Sequence, residues 1–208
     1  MKQRIDGRTA RGLRTREQGR ENILAAYTGL ICDRVPAPTA RETAARAGVS
    51  LRAVFNYFPD LRALRLAAFN RAQAHSSHFF SEPIPDRGPA AERLELFVRK
   101  QTQRLEYVTP LQRTAAMVAE IDTDVAQAIR RARNAAARDL KKTLASALGA
   151  LSPREKRDLL TRLHLVCSWA SWELLRTHYR LSPKRARDVI TGTALTILAE
   201  TQRPARLG

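Results

Sequence analysis

Thr39, Ser50, Arg52, Asn56 and Tyr57 fall in one short stretch and carry hydroxyl, amide and guanidinium donors. Such groups can bond phosphate oxygens and base edges, and an arginine can pair two N–H groups with guanine O6 and N7. Each has a plainer reading that the residues alone leave open. Arg52 and Asn56 can be solvated surface side chains, and Tyr57 a core tyrosine with a satisfied hydroxyl. Other reactive types give less. His75 and His78 lie three apart on one helix face, as metal ligands can, but no cysteine or carboxylate is predictably beside them, so they read as surface histidines. His164, His178, Cys32 and Cys167 have no nucleophile–base context. There is no Gly-rich phosphate loop, no HExxH and no GxSxG. The chain therefore reads as a binding protein and not an enzyme, with no cofactor and no metal.

Charge says what kind of partner to expect. Lys and Arg number 37 against 20 Asp and Glu, a net charge of +17, which points first to nucleic acid and second to an anionic membrane surface. The excess is densest at the start, where Lys2, Arg4, Arg8, Arg11, Arg14, Arg16 and Arg20 face only Asp6 and Glu17. Residues 1–15 have no helical apolar stripe and read as a flexible basic arm. Such an arm can track phosphates or enter a minor groove, or it can simply solubilise the chain. At 44% hydrophobic residues the whole is too apolar for a disordered polycation. No secretion signal and no long apolar run are visible, and the two cysteines form no framework, so a cytoplasmic protein without a membrane span is expected.

Helical periodicity positions these residues, and nothing reads as a strand. Ile23, Leu24, Tyr27, Leu30 and Ile31 stripe a first helix over about 16–34, before Pro36 and Pro38. Thr39 with Glu42 is a capping box for a helix over 39–46. Gly48 suits a tight turn, and Ser50 caps a helix over 50–57. Val49, Val54 and Phe58 are expected to lock the pair onto the first helix. Phe55 also reads as core. Further helices are predicted over 60–80, 90–107, from Thr109-Pro110, over 122–149, 153–180 and 182–201, with residues 81–89 as a proline-rich linker. In the 122–149 helix, Val125, Ile129, Ala132, Ala136, Leu140, Leu144 and Leu148 face inward, opposite Arg130, Arg131, Arg133, Arg138, Lys141 and Lys142. The fold class is all-α, with about nine helices.

Two short helices joined by a sharp turn, after a long first helix, make a helix-turn-helix. Residues 39–60, Thr-Ala-Arg-Glu-Thr-Ala-Ala-Arg-Ala-Gly-Val-Ser-Leu-Arg-Ala-Val-Phe-Asn-Tyr-Phe-Pro-Asp, resemble the DNA-binding signature of TetR/AcrR-type repressors. The likeness runs from about residue 16 to 65. It implies a cytoplasmic homodimer that binds a palindromic operator in double-stranded DNA and is released by a small-molecule effector. It implies that Thr39 caps the second helix and contacts phosphate. It also implies that Ser50, Leu51, Arg52, Ala53, Phe55 and Asn56 form the recognition helix, and that Tyr57 offers its hydroxyl to a phosphate. Two positions depart from the pattern. Arg52 stands where members often have glycine, and Leu61 where they usually have a phosphate-contacting lysine. Arg62 and Arg65 are the cations near enough in sequence to replace it.

The division expected is a basic arm at 1–15, a helix-turn-helix domain at 16–60, a helical effector-binding and dimerisation domain at 61–203, and a tail at 204–208. Phe97, Tyr107, Met117, Trp169 and Trp172 are the candidates to line an effector pocket, although aromatics at helical spacing are commonly core. About 153–200 is the expected homodimer surface, with Leu159, Leu163, Val166, Ala170 and Leu174 as a stripe and Gly192 and Ala194 allowing close approach. The rival function is a constitutive basic DNA- or RNA-binding module without an effector. Peripheral membrane binding is weaker, since no helix pairs a basic face with a broad apolar one.

Overall fold

A computed structural model describes residues 7–33 and 37–202, with side chains from Thr15 onward. The described residues are all-helical, and none of their helices is long and apolar enough to cross a membrane. Helix α1 (Gly7–Cys32) starts well before the predicted residue 16. Propagating a helix adds one hydrogen bond per residue without a new nucleus, and Ala10, Arg11, Leu13 and Arg14 are good helix formers. The expected arm thus gives its residues 7–15 to α1. Residues 1–6 and the expected tail, 204–208, lie outside the described residues.

Helices α2 (Ala40–Ala47) and α3 (Leu51–Tyr57) follow, then α4 (Leu61–His75) with a tighter 3-10 turn over Ser76–Phe80. Helix α5 (Ala90–Val118) runs through Pro110, where the sequence predicts a new helix. An interior proline costs about 3 kcal/mol. Burial of Leu105, Val108, Leu111 and Ala115 on both sides of it offsets that, at about 1.5–3 kcal/mol for each large apolar side chain. Helix α6 (Thr123–Thr143) is followed by the short α7 (Ala145–Leu148), so the predicted 122–149 helix is interrupted at Leu144. The Leu144 amide still donates to the Leu140 carbonyl, at 3.1 Å, which keeps Leu140, Leu144 and Leu148 on one buried side.

Helix α8 (Pro153–Val166) opens on the Ser152–Glu155 capping box. The predicted continuous helix to 180 breaks after Val166, because Ser168 accepts from the Ser171 amide and starts α9 (Trp169–Glu173). A π-helical turn over Leu174–His178 and helix α10 (Pro183–Gln202) complete the chain. Cys167 is buried at the α8–α9 break, and burial pushes its thiol up to about 12.

The chain divides into two compact units. The first holds residues up to Ala72 together with Pro110–Ala128. Its core joins Ile23, Leu24, Tyr27 and Ile31 of α1 to Ala44, Val54, Phe58, Leu64, Ala68, Ala72 and Leu111. This unit therefore extends past the predicted boundary at residue 60, because α4 buries Leu64, Ala68 and Ala72 in the same cluster as α1. The second unit holds Gln73–Thr109 and the chain from Ile129. Its core includes Leu94, Phe97, Leu140, Leu163, Trp172, Ile190 and Ala194.

Within the first unit, Arg62 ties α4 to the start of α6. Its Nε donates to Asp122 Oδ2 at 2.8 Å, and a terminal nitrogen donates to Asp124 Oδ2 at 2.6 Å. Asp122 Oδ1 also accepts from the Asp124 and Val125 amides, capping α6. The Arg62 hydrogen bond holds the Asp122 carboxyl below its usual range. A carboxyl lowered on folding adds stability that is present above its unfolded value, about pH 3.9, and lost as pH falls through the folded value. Urea unfolding of Asp122→Asn, which keeps a capping oxygen, is expected to show lower stability at neutral pH and a shallower acid loss than wild type. Parallel curves would remove the ion pair from that role.

Candidate nucleic-acid interface and ligand cleft

The turn between α2 and α3 is set by four residues. Gly48 closes α2 in the left-handed region, at φ +67°. Its amide donates to Ala45 O at 3.3 Å, and the Val49 amide to Ala44 O at 3.0 Å, the paired bonds of a Schellman close. Ser50 Oγ then accepts from the Ala53 amide at 3.1 Å and starts α3. Upstream, Thr39 and Glu42 form the predicted capping box. The hydrogen bonds from the Thr39 amide and hydroxyl lower the Glu42 carboxyl, and the hydroxyl donates to Glu42 Oε2 at 2.7 Å. The Thr39 hydroxyl proton is thus engaged in the cap.

Helix α3 is anchored by two side chains four residues apart, Val54 and Phe58, both buried against the α1 core. Arg20 of α1 lies over the Phe58 ring, 5.1 Å from its centroid. Tyr57 is half-buried with its hydroxyl against Gly19, where any Cβ would collide with it. The structure therefore uses Tyr57 as packing at the α1–α3 seam. Ala53 is half-buried, while Ser50, Leu51, Arg52 and Asn56 are exposed, so these candidates share the outward side of one element.

Two residues expected inside are outside. Phe55 is 44% exposed and Val49 37% exposed. Helix α3 turns Val54 fully inward with Ala53 and Tyr57 half-buried beside it, Phe58 is buried just past its end, and Phe55 is turned about 100° from Val54. The two cations near enough in sequence to replace a lysine at Leu61 are placed differently. Arg62 is paired as described, and the Arg65 guanidinium is the charged neighbour of the buried Tyr27 hydroxyl, whose pKa burial raises. Three further arginines of this unit hold carboxylates or lie apart from them. Arg46 pairs with Asp33 at 2.7 Å and Arg71 with Glu21 at 2.6 Å. Arg52 is exposed with no carboxylate within ion-pair distance among the described residues.

The five predicted pocket residues have different surroundings. Phe97 is core, its ring 5.9 Å from Phe80. Met117 is 65% exposed and belongs to the first unit. Trp169 donates its indole N–H to Thr109 Oγ1 at 3.2 Å. Tyr107 and Trp172 share a concavity, a cleft of about 340 Å³ in the second unit, with Phe79, Thr102, Glu106 and Arg187 also on its wall. Trp172 is buried, and its indole nitrogen has no hydrogen-bond partner among the described residues. Arg176 sits over its ring and forks onto Glu106 at 3.1 and 3.2 Å, neutralising that carboxylate. Sequence reasoning missed Phe79 and Arg187. His75 and His78 are exposed, and no group of three or more metal-ligating side chains forms among the described residues.

No family model matches the chain, and no curated protein does. Solved structures share its fold. A TetR-family transcriptional regulator from Streptomyces coelicolor superposes with a TM-score of 0.71 at 20% identity, covering 89% of this chain and 82% of that one. A putative TetR-family regulator from Rhodococcus sp. gives 0.69 at 18% identity, over 87% of this chain and 99% of that one. The multidrug binding protein EbrR complexed with imidazole gives 0.51 at 19% identity, over 84% and 93%. The chain has the fold of these proteins: an N-terminal helix-turn-helix followed by a helical domain.

The turn makes a direct demand on residue 48. No atom stands within 4 Å of a Cβ built there, so the cost of a side chain is backbone strain alone. Gly48→Ala is expected to lose about 1–2 kcal/mol in urea unfolding, and Gly48→Asn less, since asparagine tolerates this region. Equal stability of all three would contradict a left-handed Gly48.

Proposed function

We propose that this chain is a TetR-family DNA-binding transcriptional regulator, acting as a homodimeric repressor that a small molecule releases from a palindromic operator. The observation that carries the reading is α3. It is capped at its start, anchored by Val54 and Phe58, and leaves Leu51, Arg52, Phe55 and Asn56 in solvent. A braced helix with a free outer face is what a major groove accepts. Arg52 reads guanine, Asn56 an adjacent base edge, and Leu51, Ala53 and Phe55 supply apolar contact of the kind a thymine methyl takes. Exposed Arg16, Arg20 and Arg41 add counterion release.

Homodimerisation through about 153–200 is supported by apolar side chains there that the chain leaves in solvent: Leu165, Leu174, Tyr179 and Val189. The effector reading is supported by the Tyr107–Trp172 cleft, whose size suits a small ligand, and by a fold shared with a drug-binding protein. Helices α4, α5 and α6 each contribute residues to both units, which makes them the covalent route for coupling, of about 1–3 kcal/mol in typical cases. Such a regulator works in the cytoplasm.

A footprint on the DNA flanking the coding sequence tests the reading. A short protected palindrome with half-sites about 34–36 Å or more apart is expected. Diffuse protection would instead favour a constitutive module. Arg52→Ala is expected to weaken operator binding by about 1–3 kcal/mol and to relax one base position. A change confined to the salt slope would make Arg52 a phosphate contact.

A further inference from the structure

The second unit holds another concavity, a groove of about 440 Å³ between α6 and α8. Its floor is apolar, with Leu140 buried and Ala137 and Leu160 half-buried. Its rim is cationic from both sides: Arg138 and Lys141 come from α6, and Arg157 from α8. Asn134 and Thr161 add neutral donors, and His164 lies on the same wall. Among the described residues no carboxylate stands within ion-pair distance of Arg138, Lys141 or Arg157. Glu155 caps α8 with Ser152, Asp158 faces Arg154 at 4.0 Å, and Asp139 is half-buried, its carboxyl raised by burial, with Arg104, Arg138 and Lys142 near it but not ion-paired.

We propose that this groove binds a phosphate-bearing small molecule with a planar or apolar body. Like charges gathered on one concavity repel each other, and an anion seated among them relieves that repulsion. Guanidinium forks on opposite walls match phosphate oxygens, and Lys141 adds a point charge. The apolar floor accepts the uncharged body, and the volume falls in the small-ligand range. The proposal does not depend on α3 or on the Tyr107–Trp172 cleft.

His164 supplies a local reporter. Burial, and then the Arg133 guanidinium, hold its imidazole below the usual range. An anion seated beside it favours the charged ring and raises that value. ADP titrated into the full chain at constant ionic strength is expected to shift the His164 imidazole resonances saturably. Adenosine and inorganic pyrophosphate, each lacking half of the chemistry, should bind more weakly. The double variant Arg138→Gln/Arg157→Gln is expected to raise the ADP Kd about tenfold or more. Arg154→Gln removes a cation from the same helix at a side chain 92% exposed and off the groove wall. It should leave the Kd within about twofold, as for an isolated surface charge. Unsaturable shifts, or an equal loss in Arg154→Gln, would reduce the effect to general charge and overturn the site. Displacement of ADP from His164 by duplex DNA at lower concentration would make the groove a nucleic-acid surface and overturn it equally.

Discussion

Seven residues cannot hold a helix in water. Isolated helices shorter than about 12–15 residues are marginal even in favourable sequences. Helix α3 exists because Val54 and Phe58 are buried against α1 and because both its ends are capped by the chain itself. Everything proposed for its outer face depends on that one-sided anchoring. The contact with α1 uses Ile23, Leu24 and Tyr27, and Gly19 admits Tyr57 beside them. Once the inner face is satisfied, Leu51 and Phe55 have nowhere to go but solvent. Their exposure follows from the geometry that makes the helix usable, and its cost in water is small beside the burial that holds the helix down.

The same unit sorts its arginines. Arg46, Arg62 and Arg71 are held by carboxylates, and the half-buried Arg65 lies near the buried Tyr27 hydroxyl. Most of these pairs are partly exposed, so each contributes modestly and weakens with salt. Their effect is one of position more than strength. Arg62 links α4 to α6 through a residue that also caps α6, and Arg46 joins α2 to the end of α1. Arg52 is left without a carboxylate partner on the helix with the free face. Net charge alone cannot make this distinction, since paired and unpaired arginines count alike.

Local rules made most of the helices legible. Capping boxes at Thr39 and Ser152, the left-handed Gly48 and the apolar stripes are written within four or five residues of one another, and so are the elements they set. The structure departs from periodicity where packing or a cap competes with it. Pro110 reads as a helix start, yet burial on both sides of it carries α5 through. Residues 153–180 read as one periodic stretch, yet Ser168 turns inward to cap and divides it. The basic start of the chain lacks an apolar stripe, so periodicity could not detect its helix, which needs only propagation from α1. Phe55 is apolar yet exposed, because its hydrophobicity does not say which side of so short a helix it occupies.

Sites differ from helices in the same way. The outer face of α3 is one element, so its residues could be grouped from spacing alone. The cleft at Tyr107 and Trp172 is built from α5, the turn before it, α9 and α10, and no periodic rule relates Phe79 to Arg187. Aromatic content pointed to five residues, but it could not separate Phe97, fully in the core, from Met117 on the surface of another unit. The α6–α8 groove falls between these cases. Arg138 and Lys141 were readable as one basic face, whereas Arg157 joins them only because α8 packs alongside. A cation stripe on a single helix is ordinary solvated surface. It becomes a place for an anion when a second helix brings charge to the opposite wall and an apolar floor between them, and that step belongs to tertiary structure.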